Sequence, residues 1–170
     1  MNTLRLAVSA VLVAACGAVA AQQPPAAPAP AAPQAAAPQQ AALTPEQTAQ
    51  IARQDQEMGE AALQVMQMID GNRAGEVWDG ASDAMKTSVT RDEFVRQINI
   101  DRNRLGAATQ RSQPVVSRSQ FGAGQEVPEG IYINVGSPTK FANQEAPIRE
   151  LVSFRFDPDR TWRVSGYSVR

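Results

Sequence analysis

From Thr44 onward, apolar residues recur first at helical and then at strand spacing, and the change of period divides the chain in two. Thr44-Pro45-Glu46-Gln47 reads as a helix start, with Thr as N-cap, Pro at the first helical position and Gln completing a capping box. Ile51, Met58, Ala62, Val65 and Ile69 then form a stripe on one face, with Arg53, Gln54, Gln56, Glu57 and Gln64 on the others. This helix is predicted to run to about Ile69, where Asp70-Gly71-Asn72 supplies residues that tolerate a left-handed cap. Met66 and Met68, at helical spacing, read as core filler. A second helix is predicted from Ala74 to Met85, with Val77, Trp78, Ala81 and Met85 on one side. Thr90-Arg91-Asp92-Glu93 opens a third with another capping box. It runs to about Leu105, buries Phe94, Ile98 and Leu105, and stops at Gly106.

After Gly106 the period becomes two. A first strand is predicted from Gln113 to Phe121, followed by a loop marked by Gly122-Ala123-Gly124 and by Pro128 to Gly130. Ile131, Ile133 and Val135 alternate with Tyr132 and Asn134 in a second strand, where Gly136 and Pro138 suggest a bulge or edge break. In the third, Val152, Phe154 and Phe156 face one way, and Arg149, Ser153 and Arg155 the other. Asp157-Pro158-Asp159-Arg160 turns the chain into a last strand from Thr161 to about Val169. The expected fold class is therefore α+β: three N-terminal helices packed on a curved four-stranded antiparallel sheet over residues 44–170.

Ahead of this domain the pattern is different. Met1 to Arg5 form a short positive region, Leu6 to Ala15 are apolar apart from Ser9, and small residues follow, which is the layout of a signal peptide over residues 1–20. Two processing outcomes are open. Ala18-Val19-Ala20 is an A-x-A site that would release a soluble periplasmic protein, the favoured outcome. Val13-Ala14-Ala15-Cys16 is similar to a lipobox, and cleavage there would leave Cys16 lipidated and the protein anchored to the envelope. Residues 21–43 are a Pro/Ala-rich linker, Gln, Pro and Ala alone from Gln22 to Ala42, too poor in buriable surface to order. As polyproline II, Gln22 to Ala42 would extend about 65 Å at roughly 3.1 Å per residue.

Composition removes several chemistries. The chain has no His, and its one Cys, Cys16, lies in the leader. Zinc sites of the usual kind, Ser-His-Asp and Cys-His nucleophiles and the imidazole pH switch are all excluded on that count. No paired carboxylates at defined spacing, Gly-rich phosphate loop or nucleophile elbow is present, so neither catalytic residues nor a cofactor or metal is expected. The net charge of −1 gives no overall reason to expect nucleic acid or an acidic membrane surface as partner. The arginines between Arg91 and Arg118 are interrupted by Asp92, Glu93 and Asp101 and read as a solvated face.

Taken in order, Trp78 with Ala81-Ser82, Arg102-x-x-Leu105-Gly106, Arg111, Gly130-x-Tyr132, Thr139-x-Phe141, Glu150-x-Val152 and Trp162-Arg163-Val164-x-Gly166-Tyr167 resemble the bacterial domain-of-unknown-function 4019 family. The resemblance covers nearly all of the chain after the linker and implies a small exported protein with no assigned activity. The turn before Trp162 departs from it, with Asp-Pro-Asp-Arg where a Gly is expected, and the first strand lacks a strong aromatic. The order of helices and strands also resembles the nuclear-transport-factor-like, cystatin-like half-cone, a fold shared by enzymes and inert binding modules. If the sheet closes as a cone, Trp78, Tyr132, Trp162 and Tyr167 are the candidate lining of its mouth, with Arg102 and Arg111 to meet an anionic group. The functional expectation is an exported, non-catalytic envelope module that binds a protein or small ligand, touching a membrane only if lipidated at Cys16. The alternatives are a cone-type small-molecule enzyme and a lipid-anchored accessory protein.

Overall fold

The structure, a computed structural model, describes residues 43–170. The leader, Cys16 and all but the last residue of the linker lie outside the described residues. Helix α1 spans Pro45–Asp70, α2 Ala74–Asp79, α3 Asp83–Ser88 and α4 Arg91–Leu105. Strands follow as β1 Ala108–Arg111, β2 Val115–Phe121, β3 Gly130–Phe141, β4 Ile148–Phe156 and β5 Trp162–Val169.

The helices expected at Thr44 and Thr90 start there, but only the first has a full capping box, because the Glu93 side chain bonds Arg96 and not the Thr90 N–H. Thr44 Oγ1 accepts from the Gln47 N–H while Gln47 Oε1 accepts from the Thr44 N–H, closing the box reciprocally at the head of α1. Thr90 caps α4 through the Glu93 N–H. Asn72, at φ 58°, takes the left-handed position after α1, and Gly106, at φ 77°, ends α4. The predicted second helix is instead two. Gly80 closes α2, and Ser82 restarts the chain as N-cap of α3, its hydroxyl accepting from the Met85 N–H. A capping serine so soon after a glycine cuts an apolar stripe that one continuous helix would have carried.

The sheet is open, curved and antiparallel, and five strands build it rather than four. β4 and β5 follow β3 on one side; on the other, β1 and β2 both pair with β3, end to end. The expected first strand, Gln113–Phe121, is thus the second half of a broken edge strand. The irregularity expected at Gly136 and Pro138 is not in β3, which pairs with β4 without interruption from Tyr132 to Thr139. It lies in the edge strand opposite, between Arg111 and Val115, with a further shift in β5 beside Ser153.

The helices cover one face of the sheet. Met58, Ala62, Val65, Met66 and Ile69 of α1 and Phe94 and Ile98 of α4 pack with Ile133, Val135, Val152, Phe154 and Val164. Each of the Val, Ile, Met and Phe side chains, fully buried, contributes about 1.5–3 kcal/mol. The period-two alternation places Thr139, Glu150 and Tyr167 on the same face as this core, and Tyr132, Asn134, Arg149 and Ser153 on the other.

Candidate functional site

Arg102, Arg111 and Tyr167, far apart in sequence, meet around one carboxylate. Glu150 projects from β4 toward the helices and its side chain is 0% exposed. Its Oε1 accepts from Tyr167 Oη at 2.6 Å, Arg102 Nη2 at 2.8 Å and Arg111 Nη2 at 3.2 Å. Its Oε2 accepts from Arg111 Nε at 2.8 Å and Thr139 Oγ1 at 2.9 Å. Asp70, the last residue of α1, joins from above, with Arg111 Nη1 at 2.8 Å and Arg102 Nη2 at 3.1 Å. Two guanidiniums thus face two carboxylates. The Arg102 guanidinium also lies 5.2 Å from the Phe141 ring centroid and 5.9 Å from that of Tyr167, and its Nε and Nη1, which have no hydrogen-bond partner, belong to a cation held against aromatic rings.

The electrostatics follow from this crowding. Burial alone raises the Glu150 pKa, but the hydrogen bonds from Arg111 and Tyr167 and the Arg111 and Arg102 charges outweigh it and hold the carboxyl below its ordinary value. Burial pushes the Tyr167 phenol upward, and the neighbouring Glu150 charge pushes it further, so it stays protonated and donates. Arg111 loses charge stability to burial and regains more from Asp70 and Glu150, which leaves its pKa raised. With both oxygens of Glu150 engaged, the cluster is a charge-balanced fastening of α1, α4, β1, β4 and β5.

The other three candidates lie elsewhere. Trp78 is half-buried against the core, its indole N–H donating to the Val89 carbonyl at 3.0 Å. Trp162 packs its ring on Phe156 at 5.0 Å between centroids. Tyr132 is on the opposite face of the sheet, buried under the loop after β2, with its hydroxyl donating to the Pro128 carbonyl at 2.7 Å and its ring edge-to-face with Phe121. The six candidate residues therefore line no common mouth.

Two cavities open on the helix side. The larger, about 680 Å³, runs between α1 and the break in the edge strand, with Leu63, Met66, Val116 and Val135 among its apolar walls and Asp55, Gln56 and Glu60 along its α1 side. Gly59 faces Pro114 across it, and a Cβ at Gly59 would stand 3.4 Å from Pro114 Cγ. Arg111 reaches its inner end, already committed to Glu150 and Asp70. The smaller, about 260 Å³, is bounded by α3, α4 and β5 and includes Phe94, Gln97 and Tyr167. Asp79, Asp92 and Asp101, the helix carboxylates that could serve as bases, line neither: Asp79 pairs with Arg91 and Asp101 with Arg104. Among the described residues no cluster of three or more His, Cys, Asp or Glu is placed to hold a metal.

Sequence reasoning singled out the arginines and the tyrosine but not their counterions. Glu150 stands in phase with Val152, Phe154 and Phe156, so the alternation itself put a carboxylate on the buried face. Asp70 ends a helix, where the dipole disfavours an anion, and only the two arginines make that position favourable.

A helix-covered open sheet fastened by a buried ionic cluster defines a small α+β domain. This chain belongs to the family described as "Protein of unknown function (DUF4019)", which matches residues 61–167 and so takes in the whole cluster. No curated protein and no solved structure matches it.

Proposed function

We propose that this protein is an exported, non-catalytic envelope module that binds a protein or small ligand in the cleft between α1 and the broken edge strand. The observation that carries the reading is the contrast between the two polar regions on the helix side. In the ionic cluster, Glu150 and Arg111 are occupied by each other and by their neighbours, which leaves them no capacity to bind or activate a substrate. The cleft beside it is open, has an apolar floor and polar rim, and at about 680 Å³ is of the size that takes a small ligand or a few side chains. The apolar and small residues of the leader support export, and the Pro/Ala linker sets the domain apart from it.

A photo-crosslinking residue placed at Leu63, on the cleft, tests this in the producing cell against one at Ile131, exposed on β3. A discrete adduct from Leu63 and none from Ile131 is expected. Gly59→Val, which builds into the cleft toward Pro114, should abolish that adduct while the chain stays folded. Equal labelling from both positions, or persistence of the Leu63 adduct in the Gly59→Val chain, refutes the cleft as the binding site.

A further inference from the structure

The net charge hides an asymmetry. Arg5 is the one charged residue before Glu46, so the domain carries 15 cations against 17 carboxylates. On the sheet face turned away from the helices, however, no strand position is a carboxylate, while Lys140, Arg149, Arg155 and Arg163 all point outward. Arg155 and Arg163 are neutralised at one end by Asp157 and Asp159 of the β4–β5 turn. At the other end three cations stand against one exposed carboxylate, Glu145 of the β3–β4 turn, which pairs with none of them. Arg149 stands opposite Pro138, two residues from Lys140 on the same face, and exchanges both backbone hydrogen bonds with Arg170. Lys140, Arg149 and Arg170 are exposed and, among the described residues, none of the three forms an ion pair.

The surface between the two ends is low and mixed, with Val115 exposed on β2 and Leu151 partly exposed on β4 to either side of Gly136, and a polar row beside them. Ser119, Asn134 and Ser153 are linked across three strands, with Ser153 Oγ donating to Asn134 Oδ1 at 2.7 Å and Asn134 Nδ2 donating to Ser119 Oγ at 3.2 Å. Gly136 has the Arg149 guanidinium lying across it, where a Cβ would stand 2.7 Å from Nε. Both cavities described above are on the other side of the sheet. A shallow face with fixed hydroxyls and unpaired cations suits an extended anionic surface, not a ligand that must be enclosed.

We propose that the outward face of the sheet, through Lys140, Arg149 and Arg170, is an electrostatic docking surface for a membrane of anionic phospholipid. It is separate from the cleft, holds whichever way the leader is cut, and can fail without affecting the reading of the cleft. The chain as released by cleavage after Ala20, residues 21–170 and so free of both the apolar leader and Cys16, is co-sedimented with vesicles of phosphatidylcholine alone and of phosphatidylcholine mixed with phosphatidylglycerol. Binding is expected to the mixed vesicles only, and to disappear near 1 M salt, where screening shortens to about 3 Å. Lys140→Gln with Arg149→Gln should weaken it roughly 30-fold. Arg53→Gln, an exposed cation on α1, should leave it unchanged. Circular dichroism and thermal melting confirm that each variant is folded. Equal binding to both vesicles, wild-type binding by the double variant, or an Arg53→Gln loss as large as the double variant's overturns the proposal. So does capture by soluble polyglutamate with no sedimentation on vesicles, which would assign the face to an acidic protein.

Discussion

Replacing Glu150 by Gln removes one charge and almost no volume, so its effect isolates what the carboxylate does. In the native domain, five hydrogen bonds from Arg102, Arg111, Tyr167 and Thr139 converge on its two oxygens. An amide has only one oxygen, so its NH2 group must face donors already aimed at that position, and two guanidiniums are left with Asp70 alone. Breaking a buried ion pair from one side costs about 3–5 kcal/mol. The lower end applies here, because the Arg102 and Arg111 side chains keep 13% and 16% of their exposure and Asp70 remains beside them. For a domain of this size, about 3 kcal/mol corresponds to a fall in Tm of roughly 10–15 °C. Urea and thermal unfolding at pH 7, followed by circular dichroism, measure it directly. A double-mutant cycle with Arg111→Met should give a coupling of about 2 kcal/mol. The sign with pH separates charge from packing. The folded-state pKa of Glu150 is depressed, so its stabilisation is complete above the unfolded carboxylate value, about 4.3, and is lost as pH falls through the folded value. The gap between wild type and Glu150→Gln should therefore narrow as the solution is acidified from pH 7 toward about pH 3. A difference under about 1 kcal/mol at pH 7, or a gap that does not change with pH, refutes the reasoning.

Tyr167→Phe removes the 2.6 Å hydrogen bond to Glu150 and the 2.9 Å bond that Tyr167 Oη accepts from Arg102 Nη2 while keeping the ring, and a loss of about 2 kcal/mol in urea unfolding is expected, smaller when Glu150 is already Gln. Gly106→Ala forces a side chain into a left-handed position where its Cβ would stand 3.0 Å from the Asn143 side chain, so thermal melting should show a destabilisation of about 1–2 kcal/mol. Ser82→Ala removes the buried N-cap of α3 and should cost about 1–2 kcal/mol in the same assay, with the far-UV spectrum retained. Mass spectrometry of the mature chain should find an N-terminus at Ala21; a diacylglyceryl Cys16 would refute soluble release and make the Pro/Ala run a membrane standoff.

Local chemistry made the long elements readable. The reciprocal Thr44 and Gln47 box and the stripe from Met58 to Ile69 gave α1 nearly to the residue, alternation gave β4 with its inward face, and the turn before it gave β5 its bounds. Where the sequence was misread, a competing local signal or a long-range partner decided. The stripe from Val77 to Met85 is one face in space but two helices in the backbone, because Ser82 caps the second. β1 offers no apolar run, and is held as a strand only by its pairing to β3 and by Arg111 reaching Glu150. Tyr132 has the composition of a pocket residue but falls out of phase with Ile133 and Val135, which places it on the far face. The ionic cluster was half legible: its cations stood out as candidates, and its anions were hidden as the tail of a helix and the polar member of a hydrophobic strand.

The break in the edge strand can be expressed as a count. Between the pairs Arg111 with Thr139 and Val115 with Gly136, the edge strand has three residues and β3 has two. One residue is surplus, and the chain bows outward there to form one wall of the cleft. Without Pro114, Ser112 and Gln113 would stand opposite Pro138 and Ser137, the ladder would run straight through, and Arg111 would still point inward at Glu150. The fastening of the fold and the opening beside it are thus written independently, one in side chains and the other in length. In this chain the opening depends on one surplus residue that the fastening does not use.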